Sequence, residues 1–354
     1  MSDFEHTPYE SEQDSISVPS QVILPTAQTP DDSRELFQSW SQPRIALPTR
    51  IPHLGHLCML AVLVLAGSLC SSALVLIGMH FHIYGVTTLG EAESNVYYTL
   101  GSTAVLYLVA FPPSLIIFPL LWNKSFFAGV HWRGAAALHL GWRLPAIAVG
   151  CFALATLDQL LLPGPANAPI EDIFRSPGAA WLMFGFGVAV APFFEEMAFR
   201  GFLLPALATA WDWAIEKSTG KPARPLDANG HPQWSISAMV IASILATLPF
   251  ALMHVKQQGY SLGPFIVLIV ISLILCAVRI VTRSLAASTL VHACYNFLLF
   301  FFMLVSTGGF QHLEKLSAPA SGLSPELRRA CRKPAHTKAG PIRTSDRPCL
   351  FAQA

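Results

Sequence analysis

Long stretches without charged residues dominate this sequence of 354 residues. No Asp, Glu, Lys or Arg lies between Arg50 and Glu91. Further uncharged stretches cover 94–123, 176–194, 228–255, 257–278 and 284–313. A helix needs about 20 apolar residues to cross the hydrocarbon core of a bilayer. Several of these stretches reach that length, so the sequence predicts a polytopic membrane protein and excludes a disordered chain.

The spans are predicted to be helical, because an isolated helix satisfies its own backbone hydrogen bonds in lipid and no strand-like alternation is visible. We therefore predict an all-α transmembrane helix bundle of about seven to eight spans with a polar intramembrane cavity. Seven spans can be assigned directly: 55–80, 96–121, 144–162, 179–209, 236–256, 262–282 and 285–306.

The chain divides into four predicted regions. They are a disordered acidic tail at 1–50, N-terminal transmembrane helices at 51–177, a core of transmembrane helices at 178–306 and a basic, disordered tail at 307–354. The tails are polar and contain prolines, so they bury too little apolar surface to fold.

Lys and Arg residues are concentrated beside the span ends that share a side with the N-terminus, which predicts a cytoplasmic N-terminus. With seven spans the basic tail would lie on the opposite side, whereas an eighth span would return it to the cytoplasm.

Ionisable residues inside apolar helices are candidates for function, because a charge at the bilayer centre costs about 2.5–3.5 kcal/mol. The fourth span contains Glu195, Glu196 and Arg200. Glu196 and Arg200 are four residues apart and can pair on one helix face, which leaves Glu195 unneutralised. The alternative interpretation is a buried ion pair that only fixes helix packing, but such a pair needs one glutamate.

Two later spans add polar residues at the same spacing of four. Phe250 and His254 end the fifth span, and His292 and Asn296 lie in the seventh. Each pair alone is typical of an interface anchor or an interhelical hydrogen bond. Together with the glutamates they predict one shared hydrolytic pocket. A glutamate in an apolar pocket can act as general base on water, and a histidine and an amide can stabilise an oxyanion.

These three motifs resemble those of the CPBP intramembrane proteases, a family of CAAX prenyl endopeptidases and bacteriocin-processing relatives that is also called Abi. The resemblance covers about 178–300. It rests on the two glutamates with their arginine, on the Phe-x-x-x-His motif and on the His-x-x-x-Asn motif, all in order and each in an apolar helix.

The resemblance implies a role for each matching residue. Glu195 would activate the hydrolytic water with His254, and Arg200 would neutralise Glu196. His292 and Asn296 would form the oxyanion site, with Phe250 packed behind it. We favour this metal-free mechanism with no cofactor. The metalloprotease alternative would place zinc on Glu195, His254 and His292.

The predicted function is therefore an intramembrane endopeptidase that cleaves a membrane-proximal peptide or protein, with a prenylated CAAX chain or a bacteriocin-type leader as substrate. An ion-coupled transporter and a non-catalytic immunity or binding protein are the alternatives. The expected partners are the substrate and the lipid bilayer, and no nucleic-acid module is found. We expect a bacterial plasma membrane, because the architecture is compact and such relatives are abundant there.

Overall fold

The computed structural model describes residues 50–162, 176–227 and 230–313 of the chain. The described residues form helices joined by turns, and the longer elements are connected in simple order. The helices are α1 Leu54–His80, α2 Leu89–Ser94, α3 Val96–Trp122, α4 Phe126–Gly129, α5 Gly134–Leu140, α6 Arg143–Leu161, α7 Pro177–Thr219, α8 Ile236–His254, α9 Leu262–Thr282 and α10 Leu285–Ser306.

Seven of the described helices are long and apolar enough to cross a bilayer, namely α1, α3, α6, α7, α8, α9 and α10. They coincide with the seven predicted spans, and the chain is an integral multi-pass membrane protein. An eighth span is not found among the described residues. Of the predicted tails at 1–50 and 307–354, residues 1–49 and 314–354 fall outside the described part of the chain.

The fourth predicted span was too short. It was expected to end at residue 209, whereas α7 continues to Thr219. The added turns are amphipathic, and Gly220 ends the helix in the left-handed conformation with φ of 68°. Arg50 holds this extension in place, because its guanidinium donates to Glu216 Oε1 over 2.7 Å. The length of the apolar stretch alone underestimates the length of a helix whose last turns lie outside the membrane core.

Helices α1 and α3 form a peripheral layer. Large side chains of α1, such as Val62, Leu65 and Leu69, are 65%, 59% and 64% exposed and would contact lipid. The two helices approach closely at Gly67, where an added Cβ would lie 2.8 Å from the backbone oxygen of Leu106. Small residues permit such contacts between membrane helices, where the hydrophobic effect does not drive association.

The remaining long helices build the core that positions the site. Helices α6, α9 and α10 share a cluster of buried residues that includes Ala148, Leu275 and Val291. Helices α7, α8 and α9 meet in a second cluster around Leu204, Ala242 and Cys276. The chain after α10, which the predicted domain division assigned to the tail, buries Phe310 against the start of α7. Helices α7, α8, α9 and α10 are therefore held against one another.

Candidate active site

Helix α7 is not a uniform α-helix where it carries the glutamates. The stretches Phe186–Val190 and Met197–Leu203 are π-helical, and they flank the α-helical stretch Ala191–Glu196. Single π turns within α-helices are frequently found at functional sites. Both glutamates therefore lie between two widened turns.

Proline explains the first widened turn. The N–H of Ala191 donates to the carbonyl of Phe186, five residues back. At the same spacing of five residues, the donor to the Gly187 carbonyl would be the backbone N–H of residue 192. Residue 192 is a proline and has no N–H. The side-chain amide of Asn296 on α10 donates to this carbonyl over 2.8 Å. Asn296 thus satisfies the broken backbone and locks α10 against α7.

Glu196 and Arg200 form the ion pair that their spacing predicts. Arg200 Nη1 lies 2.9 Å from Glu196 Oε1, and the two side chains are 1% and 0% exposed. Arg200 Nη2 donates to Ser272 Oγ over 2.7 Å, and Ser272 Oγ donates to Thr247 Oγ1 over 3.0 Å. This chain of hydrogen bonds joins α7, α9 and α8 around one buried charge.

Glu195 lies on the open side of this network. Its Oε1 is 4.0 Å from His254 Nε2, and its Oε2 is 3.7 Å from His292 Nε2. The side chains of Glu195 and His254 are 15% and 17% exposed, whereas Glu196 is fully buried. Glu195 thus lies close to a histidine from each of two other helices, α8 and α10.

The second ring nitrogen of each histidine is fixed by a different partner. His254 Nδ1 lies 2.9 Å from the Phe250 carbonyl oxygen, and His292 Nδ1 lies 3.1 Å from Glu196 Oε1. Both partners are acceptors, so both Nδ1 atoms carry the proton that is donated. In the neutral form each Nε2 is then an acceptor that faces Glu195.

Phe250 packs behind the polar residues, as the resemblance implied. Its ring centroid lies 5.0 Å from that of His254 and 5.9 Å from that of His292. The Arg200 guanidinium carbon lies 4.4 Å from the same centroid, which is within the range of a cation–π contact. Phe250 therefore excludes water from the inner side of the cluster.

An apolar cavity of about 260 Å³ adjoins Glu195 on its other side. Its lining includes Tyr107 and Phe111 of α3, Phe199 of α7 and Met253 of α8. Tyr107 stacks on Phe194 with a centroid distance of 3.9 Å. The Glu195 carboxylate therefore borders an apolar cavity as well as the two histidines.

A zinc ion on Glu195, His254 and His292 is the alternative raised by the sequence. The two Nε2 atoms lie 4.0 and 3.7 Å from separate oxygens of Glu195, slightly wider than the roughly 3.4 Å expected between two ligands of a tetrahedral zinc ion. Across the described ranges, no group of three or more His, Cys, Asp or Glu side chains is arranged to hold a metal ion. The choice between a metal-free and a zinc-dependent mechanism therefore belongs to the proposal below.

Sequence reasoning missed three residues at this site: Ser272, Thr247 and Tyr107. A serine or threonine in an apolar helix usually bonds its own backbone, so Ser272 and Thr247 carried no distinct signal. Tyr107 was indistinguishable from the other aromatic residues of the spans. Their roles depend on which helix faces which, and this is visible only in the fold.

Comparison with known families matches residues 177–298 to type II CAAX prenyl endopeptidase Rce1-like. The match supports the CPBP family of CAAX proteases for this membrane core. The matched segment runs from the first residue of α7 into α10 and contains every predicted site residue. No curated protein and no solved structure matches the chain significantly. The match supports a CAAX-type intramembrane protease in general.

Proposed function

We propose that the protein is an intramembrane endopeptidase in which Glu195 activates the hydrolytic water. The observation that carries this proposal is the pair of acceptors formed by Glu195 Oε1 and His254 Nε2, 4.0 Å apart. Two acceptors at this separation do not bond each other directly, but one water can donate a hydrogen to each. The lone pairs of that water then point away from both groups, toward a substrate carbonyl.

The charges of the cluster balance in one protonation state. Glu195 and Glu196 carry two negative charges, and Arg200 and a protonated His292 carry two positive charges. His292 then donates from Nδ1 to Glu196 and presents Nε2–H toward Glu195 and the substrate. A balanced set suits a low-dielectric site, where an uncompensated charge is costly.

Hydrolysis then follows from these groups. Glu195 removes a proton from the water, and the resulting hydroxide attacks the peptide carbonyl carbon. His292 and the second N–H of Asn296 stabilise the oxyanion. Glu195 returns the proton to the amide nitrogen as the C–N bond breaks, which yields a carboxylic acid and an amine, and the acid then gives its proton to the amine. General acid–base catalysis of this kind contributes about 10²–10⁴-fold to a rate.

The substrate is proposed to bring an apolar group into the cavity beside Glu195. A prenylated CAAX chain fits this description, since both its lipid and its aliphatic residues are apolar. A bacteriocin-type leader is the second candidate because it also approaches the membrane surface. We keep the predicted cytoplasmic N-terminus and bacterial plasma membrane as part of this proposal.

A substrate panel tests the proposal. The full chain is purified in detergent and incubated with a farnesylated CAAX peptide, its unprenylated counterpart and a leader peptide, and the products are identified by mass spectrometry. The proposal expects endoproteolysis of at least one peptide and faster cleavage of the farnesylated one. Equal cleavage of both CAAX peptides would refute the prenyl specificity, and no cleavage of any peptide would count against a protease.

A further inference from the structure

A second buried cluster lies at one end of the bundle, where α9 ends and α8 and α10 begin. Its members are His131, from the turn after α4, Arg279 near the end of α9, and His231 before α8. His131 and His231 line two adjoining cavities of about 220 and 370 Å³. Neither residue belongs to the proposed protease site.

Arg279 is the unusual member of this cluster. It is 1% exposed, and its Nη2 atom bonds the neutral acceptor His131 Nδ1 over 3.0 Å. Its buried Nε has no hydrogen-bond partner, and no carboxylate pairs with it in the described part of the chain. A buried arginine with no directly bonded carboxylate is costly in free energy.

The surroundings make the cluster more positive. Lys124 and Arg133 line one cavity, Arg279 and Arg283 line the other, and no described Asp or Glu lines either. Asp227 is close, but its Oδ2 pairs with Arg283 over 2.6 Å and its Oδ1 accepts the His231 backbone N–H over 2.9 Å. That carboxylate is therefore committed to the turn before α8.

The two histidines add hydrogen-bond donors to the cluster without adding positive charge. Burial, followed by the field of Arg279, lowers the pKa of His131 to about 2. Burial is also the first cause that lowers the pKa of His231, whose buried Nδ1 has no partner within the described ranges. Both rings are neutral near pH 7, so they leave the positive charge of the cluster to the lysine and the arginines.

We propose that this cluster binds a phosphate group, supplied either by a lipid headgroup or by free phosphate. Guanidinium and ammonium groups line the two adjoining cavities, and such groups bind the oxygens of a phosphate monoester. Basic pockets between membrane helices on the cytoplasmic side are suited to anionic headgroups. Trp132 and Trp234 line the same cavities and would contact the interfacial region of the lipid.

Native mass spectrometry of the purified full chain tests this proposal. The probes are phosphatidic acid, which carries a phosphate monoester, and phosphatidylcholine, while inorganic phosphate is tested by thermal shift and by competition. The variants are Arg279→Gln and Lys124→Gln. Lys217→Gln is the matched control, because Lys217 is an exposed cation at the same end of the bundle.

The proposal expects wild type to retain phosphatidic acid at least tenfold better than phosphatidylcholine. It expects Lys124→Gln, which leaves the buried residues intact, to retain phosphatidic acid at least tenfold less well than wild type. It expects the same loss of retention in Arg279→Gln if that variant folds. Stabilisation and competition by inorganic phosphate would identify free phosphate as a source, whereas retention of the lipid alone would identify the headgroup. Equal binding by Lys124→Gln and Lys217→Gln, or no binding of either phosphate source by wild type, would overturn the proposal.

Discussion

The buried pair of Glu196 and Arg200 predicts a large and specific loss of stability when one partner is removed. Arg200→Met deletes a guanidinium bonded over 2.9 Å to a carboxylate that is 0% exposed. Water cannot replace the lost donor at this depth, so Glu196 loses its guanidinium and keeps the hydrogen bond from His292 Nδ1. Truncating one partner of such a pair costs about 3–5 kcal/mol. The double variant Arg200→Met/Glu196→Gln removes both charges and should recover a large part of this loss.

An exposed pair provides the matched control. Lys256 Nζ lies 2.8 Å from Glu93 Oε1, but the two side chains are 61% and 62% exposed. Its separation is nearly that of the buried pair, whereas its exposure is very different. Lys256→Met should leave stability unchanged within error, because solvent screens such pairs.

Reversible unfolding in mixed detergent micelles measures the coupling energy of each pair by a double-mutant cycle. The expected pattern is a strong coupling between Arg200 and Glu196 and a coupling indistinguishable from zero between Lys256 and Glu93. Similar coupling energies in the two pairs, or an Arg200→Met variant as stable as wild type, would refute the reasoning from burial.

Three further predictions concern residues around the two sites. Ser272→Ala removes the hydroxyl that accepts a hydrogen bond from Arg200, and it should lower the free energy of unfolding by about 1–3 kcal/mol in the same assay. An unchanged unfolding midpoint would show that this hydrogen bond does not stabilise the fold. Gly187→Ala would place a Cβ 2.7 Å from the Phe300 ring and should lower the free energy of unfolding by about 1–3 kcal/mol through overpacking. A variant as stable as wild type would show that the ring moves aside and would contradict this prediction. The pKa of His131, about 2 against an ordinary value of 6.5, means that the unfolded chain binds the proton more readily. Stability from this residue is therefore present above pH 6.5 and lost as pH falls, by about 1.4 kcal/mol between pH 7.5 and 5.5. His131→Gln should remove that part of the pH dependence, and an identical dependence in variant and wild type would contradict it.

The sequence predicted the spans well because their signal is simple. Uncharged length is a direct requirement of the bilayer, and all seven assigned spans correspond to helices in the structure. The end of α7 was misplaced because its last turns are amphipathic and no longer obey that requirement. Pro192 was recognisable as a helix breaker, but the carbonyl it frees, and its capture by Asn296, depend on the packing of α10.

The candidate site also contains features that the sequence predicts and features that depend on how the helices pack. Spacing of four residues predicted the pair of Glu196 and Arg200, since both partners share one helix. Ser272 was invisible because its contact with Arg200 crosses between helices. Arg279 was counted only as a charge that orients the spans, and its burial against His131 emerges only from the fold. Contacts within a helix follow from the sequence, whereas contacts between helices require their relative rotation and depth.

The central claim is that Glu195 activates water without a metal, and one comparison of rates tests it most directly. Cleavage of a fluorogenic farnesylated CAAX peptide is measured for wild type, Glu195→Gln and the control Glu93→Gln, with and without chelator. The account predicts a loss of at least about 100-fold in Glu195→Gln at unchanged thermal stability, an unchanged rate in Glu93→Gln, and no effect of chelator. Wild-type activity in Glu195→Gln, or cleavage abolished by chelator and restored by zinc, would contradict it.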